Sequence, residues 1–149
     1  MNIRVARATE VSDLMELERQ AESAAHWNMS AYIVAFDGSG STERIVLVAD
    51  GGGILDGFIM ARRVGLEWEI ENLVVAPNRR RQGIGRCLVI DLVERAKAHG
   101  AESVLLEVRE SNFEARRLYE NAGFRQQGRR PAYYREPLED GLIYAYENV

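Results

Sequence analysis

The stretch ENLVVAPNRRRQGIGRCLVIDLVERAKAHG, residues 71–100, decides the fold of this chain. Residues 71–77 form a short apolar run typical of a strand, and an arginine- and glycine-rich turn, RRRQGIGR, follows at 79–86. Apolar and charged side chains then recur with helical periodicity from Gly83 to His99. The first turn of such a helix has unpaired N–H groups, and the helix dipole adds about half a positive charge there. We therefore predict a strand, a turn and a helix that together bind a phosphate group.

The turn on its own leaves the phosphate compound open. Gly83 and Gly85 lack the Cβ atoms that would hold an anion away from the backbone, but such a turn can also be a plain connection in an α/β protein. The chain contains no Gly-x-x-x-x-Gly-Lys-Ser/Thr, which excludes a P-loop. The dinucleotide fingerprint Gly-x-Gly-x-x-Gly would need a glycine where the chain has Leu88. Other segments must therefore identify the ligand.

Composition places the chain among ordinary globular proteins. Its 149 residues suit a single domain over 1–149, and 46% of them are hydrophobic and 28% charged. The longest apolar run, AYIVAF at 31–36, is too short to span a membrane. Residues 1–14 lack the apolar segment of a secretory signal. We therefore expect a cytoplasmic protein without a membrane partner.

The chain offers few ligands for a metal. It has one cysteine, Cys87, and two separated histidines, His26 and His99, so neither an internal disulfide nor a zinc centre is expected. We interpret Cys87 as a packing residue rather than a nucleophile. The net charge of −4 makes the arginine cluster a local feature, which argues against a nucleic-acid partner.

Periodic patterns along the rest of the chain predict an α/β sheet of six or seven strands. The helical patterns lie near 10–24, 28–36, 83–99 and 111–122. The strand patterns lie near 3–8, 44–50, 54–65, 67–75, 103–109, 124–134 and 141–147. A glycine turn at 50–53 joins two strands, and the tract at 37–43 is predicted to be a loop. Ser111 and Glu114 have the spacing of a capping box for the last helix, and Gly123 predicts its end.

The segment LLEVRESNFEARRLYENAGF, residues 105–124, carries further candidate site residues. Glu107 interrupts an apolar strand, where a carboxylate is costly unless it is paired or faces a cleft. Asn112, Ala115 and Tyr119 fall on one helical face, and the small alanine leaves room along it. Each also has a plain structural interpretation, because Glu107 could be a salt-bridged edge residue and Tyr119 a core aromatic.

Together these segments resemble the GNAT superfamily of acyl-CoA N-acyltransferases. Arg80-x-x-Gly83-x-Gly85 matches the pyrophosphate motif of that family, and ENLVVAP is similar to its fourth strand. LEVRESN, LYENAGF and the tail GRRPAYYREPLEDGLIYAYEN at 128–148 resemble the RimI type, which acetylates the N-terminal alanine of a ribosomal protein. AESAAHWN at 21–28 is similar to a loop of the same type. The resemblance implies three layers: a mixed sheet with helices on both faces, and a V-shaped opening between its fourth and fifth strands.

The resemblance also implies acetyl-CoA as the co-substrate, and no metal. The backbone of Leu73, Val74 and Val75 would pair with the pantetheine arm, and an N–H group there would polarise the thioester carbonyl. Asn112 would hydrogen-bond the end of the pantetheine. The pyrophosphate would be held, mostly by main-chain N–H groups, at Arg81, Gln82, Gly83, Ile84, Gly85 and Arg86.

In the same way, the resemblance implies that Glu107 is the general base and Tyr119 the general acid. An α-amine with a pKa near 8 costs about 1 kcal/mol to deprotonate at pH 7, whereas a lysine costs about 4.6 kcal/mol, so one glutamate suits an N-terminal amine better. Glu69 and Glu71 on the fourth strand remain alternative bases. Strand alternation places both on the face opposite Asn72 and Val74.

Several residues are weaker candidates for the acceptor site. They are Trp27, Tyr32, Glu71, Tyr133 and Tyr134. Because adjacent strand residues point to opposite faces, at most one of the two adjacent tyrosines should face the acceptor.

The leading hypothesis is acetylation of a protein N-terminus, such as alanine of a ribosomal protein. Acetylation of a small-molecule amine or a lysine side chain is an alternative, because the motifs describe the donor site better than the acceptor site. A non-catalytic acyl-CoA-binding module is a third hypothesis, against which the presence of both Glu107 and Tyr119 argues. The number of subunits and the need for a partner protein are left open.

Overall fold

Residues 1–21 and 42–147 are described by the computed structural model, and their strands form one mixed seven-stranded sheet. The strands are β1 (Asn2–Val5), β2 (Arg44–Asp50), β3 (Leu55–Val64), β4 (Glu67–Val75), β5 (Ser103–Arg109), β6 (Arg125–Tyr134) and β7 (Glu139–Glu147). The described helices are α1 (Val11–Arg19), α2 (Ile84–Ala98) and α3 (Phe113–Asn121). Short 3-10 helices at Ala8–Glu10 and Pro77–Arg79 precede α1 and the arginine-rich turn.

Each predicted strand and helix that the structure describes is present, although β1 ends at Val5 rather than near residue 8. The bounds of β2, β4 and β5 are those expected, and α2 ends at Ala98, with Gly100 in the left-handed conformation after it. The helix predicted near 10–24 is shorter than expected, since α1 ends at Arg19. The predicted helix at 28–36 and most of the loop at 37–43 lie outside the described residues.

The centre of the sheet splits between β4 and β5. The strand order is β1-β2-β3-β4-β5-β7-β6, and β4 and β5 are the one parallel pair among these neighbours. Their ladder runs from Glu67 opposite Ser103 to Glu69 opposite Leu105. Beyond Glu69, no described strand pairs with the edge of β4 that faces β5, over 70–75. This split is the V-shaped opening that was expected.

A β-bulge lies in β4 at the start of the split. Ala61 of β3 lies opposite Ile70, whereas its neighbour Met60 lies opposite Asn72. Glu71 is therefore the extra residue, which bends the strand locally and shifts the alternation of the residues after it.

The bulge corrects the predicted faces of β4. Glu69 lies opposite Arg62, and Asn72 lies opposite Met60, which packs with Val74 in the layer beneath α1. Glu69 therefore shares its face with Asn72 and Val74, and its predicted position on the opposite face is wrong. Strict two-residue alternation fails here because it cannot anticipate an inserted residue.

Two apolar layers flank the sheet, one on each face. The layer beneath α1 is formed by Leu14, Leu17, Val46, Val48, Phe58, Met60 and Val74, among others. The layer beneath α2 and α3 contains Leu47, Ile59, Trp68, Ile70, Leu88, Leu92, Leu106, Tyr119, Phe124 and Tyr144. Because β5 alternates between the faces, Leu106 and Val108 belong to the second layer and Glu107 faces away from it.

None of the described helices is long and apolar enough to cross a membrane.

Candidate active site

The arginine-rich turn is an exposed reversal between β4 and α2. Arg81 and Gly83 have positive φ angles of 64° and 82°. Gly83 is the N-cap of α2 and has no side chain with which to cap it, so the N–H groups of the first turn remain available to an anion. Residues 79–83 and Arg86 are exposed, which surrounds the helix start with positive charge. This geometry fits a pyrophosphate.

The two glycines of the turn have different roles. A Cβ atom at Gly83 would meet no other atom within 4 Å, so glycine is favoured there by its left-handed backbone. A Cβ atom at Gly85 would lie 2.8 Å from Cδ1 of Leu118 and 3.6 Å from Cγ2 of Val75. The prediction that both glycines clear space for an anion is therefore wrong for Gly85, which allows α2 to pack closely against α3 and β4.

Two arginines hold the turn in place. Nε of Arg79 lies 3.4 Å from Oδ1 of Asp56, a buried residue of β3. Nε of Arg80 donates to the backbone oxygen of Val75 at 3.4 Å. Arg81 and Arg86 form no ion pair with a described residue, which leaves their charges available to a ligand.

Asn112 lies at the start of α3 as its N-cap. Its side-chain oxygen accepts a hydrogen bond from the N–H of Ala115 at 3.2 Å. The predicted capping box beginning at Ser111 is thus wrong, because Ser111 instead donates its N–H and hydroxyl to Glu139 at 3.1 and 3.0 Å. The amide nitrogen of Asn112 is the group left to donate to a ligand.

Tyr119 lies on α3, in the apolar layer beneath the helices. Its residue surface is buried, and its ring packs edge-on against Phe124 with the centroids 5.5 Å apart. Burial raises the pKa of Tyr119 above its ordinary value. The hydroxyl therefore stays protonated at neutral pH and is able to act as a hydrogen-bond donor.

Glu107 lies on the opposite face of the sheet from Tyr119. Its side chain is 24% exposed, and Oε1 lies 2.8 Å from Nε of Arg130 on β6. Arg130 also stands over the ring of Tyr133, 5.4 Å from its centroid. Glu107 is thus a paired carboxylate at the surface, close to the aromatic end of β6.

The two alternative bases on β4 are both paired. Glu71 binds Arg44 of β2 through both oxygens, at 2.9 and 3.3 Å, and its side chain is only 9% exposed. Glu69 lies 3.3 Å from Arg62 and is 39% exposed. Since Glu71 is enclosed by its partner, Glu69 is the more accessible of the two.

Tyr133 and Tyr134 lie side by side rather than on opposite faces. Their ring centroids are 5.1 Å apart in a T-shaped contact, and both rings approach Gly141 of β7. The pairing of β6 with β7 shifts between Arg130 and Tyr134, and Ala132 between them has a φ of 51°. The expectation that the two rings lie on opposite faces is therefore wrong, because the irregular backbone brings them together. Their place at the acceptor site stays a prediction.

The remaining predicted residues have mixed outcomes. Leu73, Val74 and Val75 lie on the free edge of β4, as the resemblance implies. Cys87 is exposed, so its interpretation as a packing residue is wrong. The acceptor candidates Trp27 and Tyr32 lie outside the described residues.

Sequence reasoning anticipated that Glu107 could be salt-bridged, but it did not identify which cations pair with the candidate glutamates. Arg44 and Arg130 are distant in sequence from Glu71 and Glu107, and only the strand order brings each pair together. The arginines of GRRPAYY at 128–134 are evident in the sequence, but no spacing rule pairs them with Glu107 on β5. Within the described ranges, no group of three or more histidine, cysteine, aspartate or glutamate residues could hold a metal ion.

The sequence model of the acetyltransferase (GNAT) family matches residues 11–124. The chain belongs to the GNAT family. The resemblance stated from the pyrophosphate motif is thereby confirmed, together with the expected fold.

Similar proteins include acetyltransferases of known target. The [ribosomal protein bS18]-alanine N-acetyltransferase of Escherichia coli (strain K12) is 37% identical over 89 residues, which cover 60% of this chain and 59% of that protein. The match thus spans somewhat over half the length of this curated relative. The crystal structure of the ribosomal-protein-S18-alanine N-acetyltransferase from Escherichia coli has a TM-score of 0.81 and 27% identity, covering 98% of this chain and 92% of that one.

A more distant structure shares the fold and holds a donor. This Bacillus anthracis protein, solved in complex with acetyl coenzyme A, has a TM-score of 0.67 and 23% identity, covering 71% of this chain and 63% of its own.

Proposed function

We propose that this GNAT protein transfers the acetyl group of acetyl-CoA to the N-terminal α-amine of a protein, with alanine as the acceptor residue. The observation that carries the proposal is the split between β4 and β5, which opens beside the arginine-rich turn. Tyr119 packs on one face of the sheet, and Glu107, on β5 beyond the ladder with β4, faces the other. A thioester held in the split would be accessible to both side chains.

Different segments of the proposed donor site would bind the pyrophosphate and the pantetheine arm of acetyl-CoA. The exposed turn and the uncapped start of α2 would bind the pyrophosphate, with Arg81 and Arg86 adding positive charge. The free edge of β4 at 73–75 offers backbone hydrogen bonds to the amide groups of pantetheine, in the manner of an added strand. The bound arm then leads the acetyl group into the split.

The reaction requires one proton acceptor and one donor. The neutral amine nitrogen attacks the carbonyl carbon, a C–N bond forms, and the C–S bond breaks as the thiolate leaves. Glu107 accepts the proton of the amine, directly or through water. The hydroxyl of Tyr119 donates a hydrogen bond to the leaving sulfur, and a backbone N–H of 73–75 polarises the carbonyl oxygen.

The acceptor side favours a weakly basic amine. At pH 7 about a tenth of an α-amine is already neutral, whereas less than about 0.1% of a lysine side chain is. A single paired carboxylate therefore suits an α-amine, which needs little help to lose its proton. The Escherichia coli relative is named for alanine of ribosomal protein bS18, which supports alanine as the acceptor residue.

The test is acetyl-CoA turnover, measured by thiol release, with four peptides. Three have free N-termini that begin with alanine, serine or methionine, and the fourth has a blocked N-terminus and an internal lysine. We expect turnover with the alanine peptide and at least about 10²-fold less with the blocked lysine peptide, from the cost of deprotonation. Mass spectrometry of the product would place the acetyl group.

Other outcomes would redirect the proposal. Turnover confined to the blocked peptide would make the protein a lysine acetyltransferase. Acetyl-CoA binding without turnover on any peptide would contradict a peptide acceptor and point to a small-molecule amine. Absence of acetyl-CoA binding, measured by calorimetry, would contradict the donor site itself.

A further inference from the structure

A hydrogen-bond network beneath α3 connects this helix to two strands. Tyr144 of β7 is fully buried, and its hydroxyl donates to Oε2 of Glu120 at 2.5 Å. The same hydroxyl accepts a hydrogen bond from Nε of Arg116 at 3.1 Å. Arg116 also donates through Nη1 to the backbone oxygen of Glu110 at 2.7 Å. One buried hydroxyl thus binds two charged side chains of α3.

The two residues of α3 in this network flank Tyr119 in the sequence. Arg116 and Glu120 are four residues apart, so they lie on one face of α3, and Tyr119 lies between them in sequence. Glu110 directly follows β5, the strand that carries Glu107. The network therefore fixes the helix of Tyr119 relative to the strand of Glu107.

Packing alone does not require a hydroxyl at Tyr144. Its ring lies in the apolar layer beneath α2 and α3, where phenylalanine would bury the same carbon surface. Burial raises the pKa of Tyr144, so the hydroxyl remains protonated and continues to donate to Glu120. Hydrogen bonds in both directions set the rotation and the height of α3 over the sheet more narrowly than apolar contacts do.

We propose that Tyr144, Arg116 and Glu120 form a positioning triad that sets the placement of the Tyr119 hydroxyl at the split. This inference rests on the proposed function, in which Tyr119 donates to the leaving sulfur. A displacement of about 1 Å in a reacting group can cost about 10²-fold in rate, so the triad should act on turnover rather than on donor binding. Tyr119 is the residue at the reaction, and the triad acts through it.

The first experiment compares Tyr144→Phe with Tyr146→Phe. Tyr146 lies two residues along the same strand, and its hydroxyl lies 3.4 Å from Nζ of Lys97 on α2. We expect Tyr144→Phe to lower kcat at least about 10-fold while the KM for acetyl-CoA changes less than about 3-fold. Tyr146→Phe should leave both values within about 2-fold. Circular dichroism and the thermal shift with acetyl-CoA would establish that each variant is folded.

The second experiment repeats Tyr144→Phe in a Tyr119→Phe background. If the triad acts through Tyr119, the second substitution should change kcat by less than about 2-fold there, because the group to be positioned is already missing. Glu120→Gln is a milder variant at an exposed residue, which keeps the fold if Tyr144→Phe does not, and its smaller loss of kcat should likewise vanish.

The outcomes separate the triad from the proposed function. The same loss in both backgrounds, or an unchanged kcat for Tyr144→Phe, would overturn the triad and leave the acetyltransferase proposal intact. A Tyr119→Phe variant that turns over like the unmodified protein would overturn the role of Tyr119, and the triad with it.

Discussion

Glu107 and Tyr119 have environments that suit opposite roles. Glu107 is a carboxylate at the surface that is paired with Arg130. Tyr119 is buried, and the same burial raises its pKa, so it is kept as a neutral donor. The attack of an amine on a thioester generates positive charge on nitrogen and negative charge on sulfur. Under the proposed function, the carboxylate of Glu107 would meet the positive charge and the hydroxyl of Tyr119 the negative charge.

The first prediction at the scale of single residues concerns the base. Glu107→Gln keeps the size of the side chain but cannot accept the amine proton, so kcat should fall about 10²-fold with the alanine peptide. The KM for acetyl-CoA should change little, because the proposed donor contacts are made by the arginine-rich turn and β4 and not by Glu107. Steady-state kinetics of thiol release would measure both values.

Glu69→Gln is the matched control for that variant. Glu69 is also a partly exposed, arginine-paired carboxylate on the same face of the sheet as Glu107, and its substitution should leave kcat within about 3-fold. A large loss with Glu69→Gln and none with Glu107→Gln would move the base from β5 to β4.

The second prediction concerns Glu71 in the bulge of β4. Glu71→Gln removes the charge from an enclosed ion pair and weakens both of its charge-assisted hydrogen bonds with Arg44, so it should lower the free energy of unfolding by about 3 kcal/mol. Glu69→Gln should cost less than about 1 kcal/mol, because its pair with Arg62 is open to solvent. Urea unfolding followed by circular dichroism would compare the two. Equal losses would contradict the structural role assigned to the pair of Glu71 with Arg44.

Contacts between helices and strands fix the position of the arginine-rich turn. The start of α2 lies against Leu118 of α3 and Val75 of β4 because Gly85 has no side chain. The strand with the free edge, the helix that follows the arginine-rich turn and the helix of Tyr119 therefore meet at Gly85. Their close approach keeps the turn, the split and the hydroxyl in a fixed relation.

Gly85→Ala tests this contact between elements. The added methyl group would lie 2.8 Å from Cδ1 of Leu118, and overpacking of this kind should lower the free energy of unfolding by about 1–3 kcal/mol. In a Leu118→Ala background the same substitution should cost clearly less, since the opposing atom is gone.

Gly83→Ala is the control, because its cost comes from the backbone φ of 82° and not from Leu118. Its effect should be equal in both backgrounds. Thermal and urea unfolding of the six proteins would decide between a steric and a conformational origin. A Gly85→Ala cost that is independent of Leu118 would contradict the packing role.

At the scale of the whole molecule, charged clusters hold both ends of the sheet. At the β1 end, the hydrogen bond from Arg4 lowers the pKa of Glu10, and the N–H of Gly53 lowers that of Asp50. At the β6–β7 end, hydrogen bonds from Arg109 and then from Ser111 lower the pKa of the Glu139 carboxyl. The pKa of Asp140 is lowered first by the N–H of Ala132 and then by Arg129.

These shifts predict a loss of stability in acid. A carboxyl group whose pKa is lower in the folded state contributes stability above its unfolded pKa of about 4, and this stability is lost as the pH falls through the folded pKa. The urea midpoint should therefore change little between about pH 7 and 5 on account of these groups and fall below about pH 4. Glu139→Gln should reduce the midpoint at pH 7 and make the decline toward acid shallower. A variant with an unchanged slope would contradict the contribution of Glu139.

Local patterns were sufficient to predict most of the elements and to propose the anion site. The bounds of β2, β4 and β5 follow from runs of apolar and β-branched residues, and α2 follows from its 3.6-residue periodicity between Gly83 and Gly100. The turn at 79–86 was recognisable because glycine, arginine and a helix start are adjacent in the chain. Interactions of this kind join residues that are close in the chain, so they can be predicted from the sequence.

The predicted side-chain orientations were wrong where the backbone of a strand is irregular. The bulge at Glu71 changed the face of Glu69, and the shift in β6 brought Tyr133 beside Tyr134. Both predictions assumed that side chains alternate strictly between the two faces of a strand. An inserted residue breaks this alternation, and the local sequence does not reveal the insertion.

The sequence by itself determined the family of this protein and its strands and helices, and it supplied the proposed phosphate-binding turn and the candidates Glu107 and Tyr119. Only the tertiary structure decided that Arg130 pairs with Glu107, that Arg44 encloses Glu71, and that Tyr144 joins Arg116 to Glu120. The physical reason is the range of the interactions. Helix starts, turns and periodicity arise from neighbours in the chain, whereas these partners are 23 to 28 residues apart and meet only because β7 lies between β5 and β6 and β3 lies between β2 and β4.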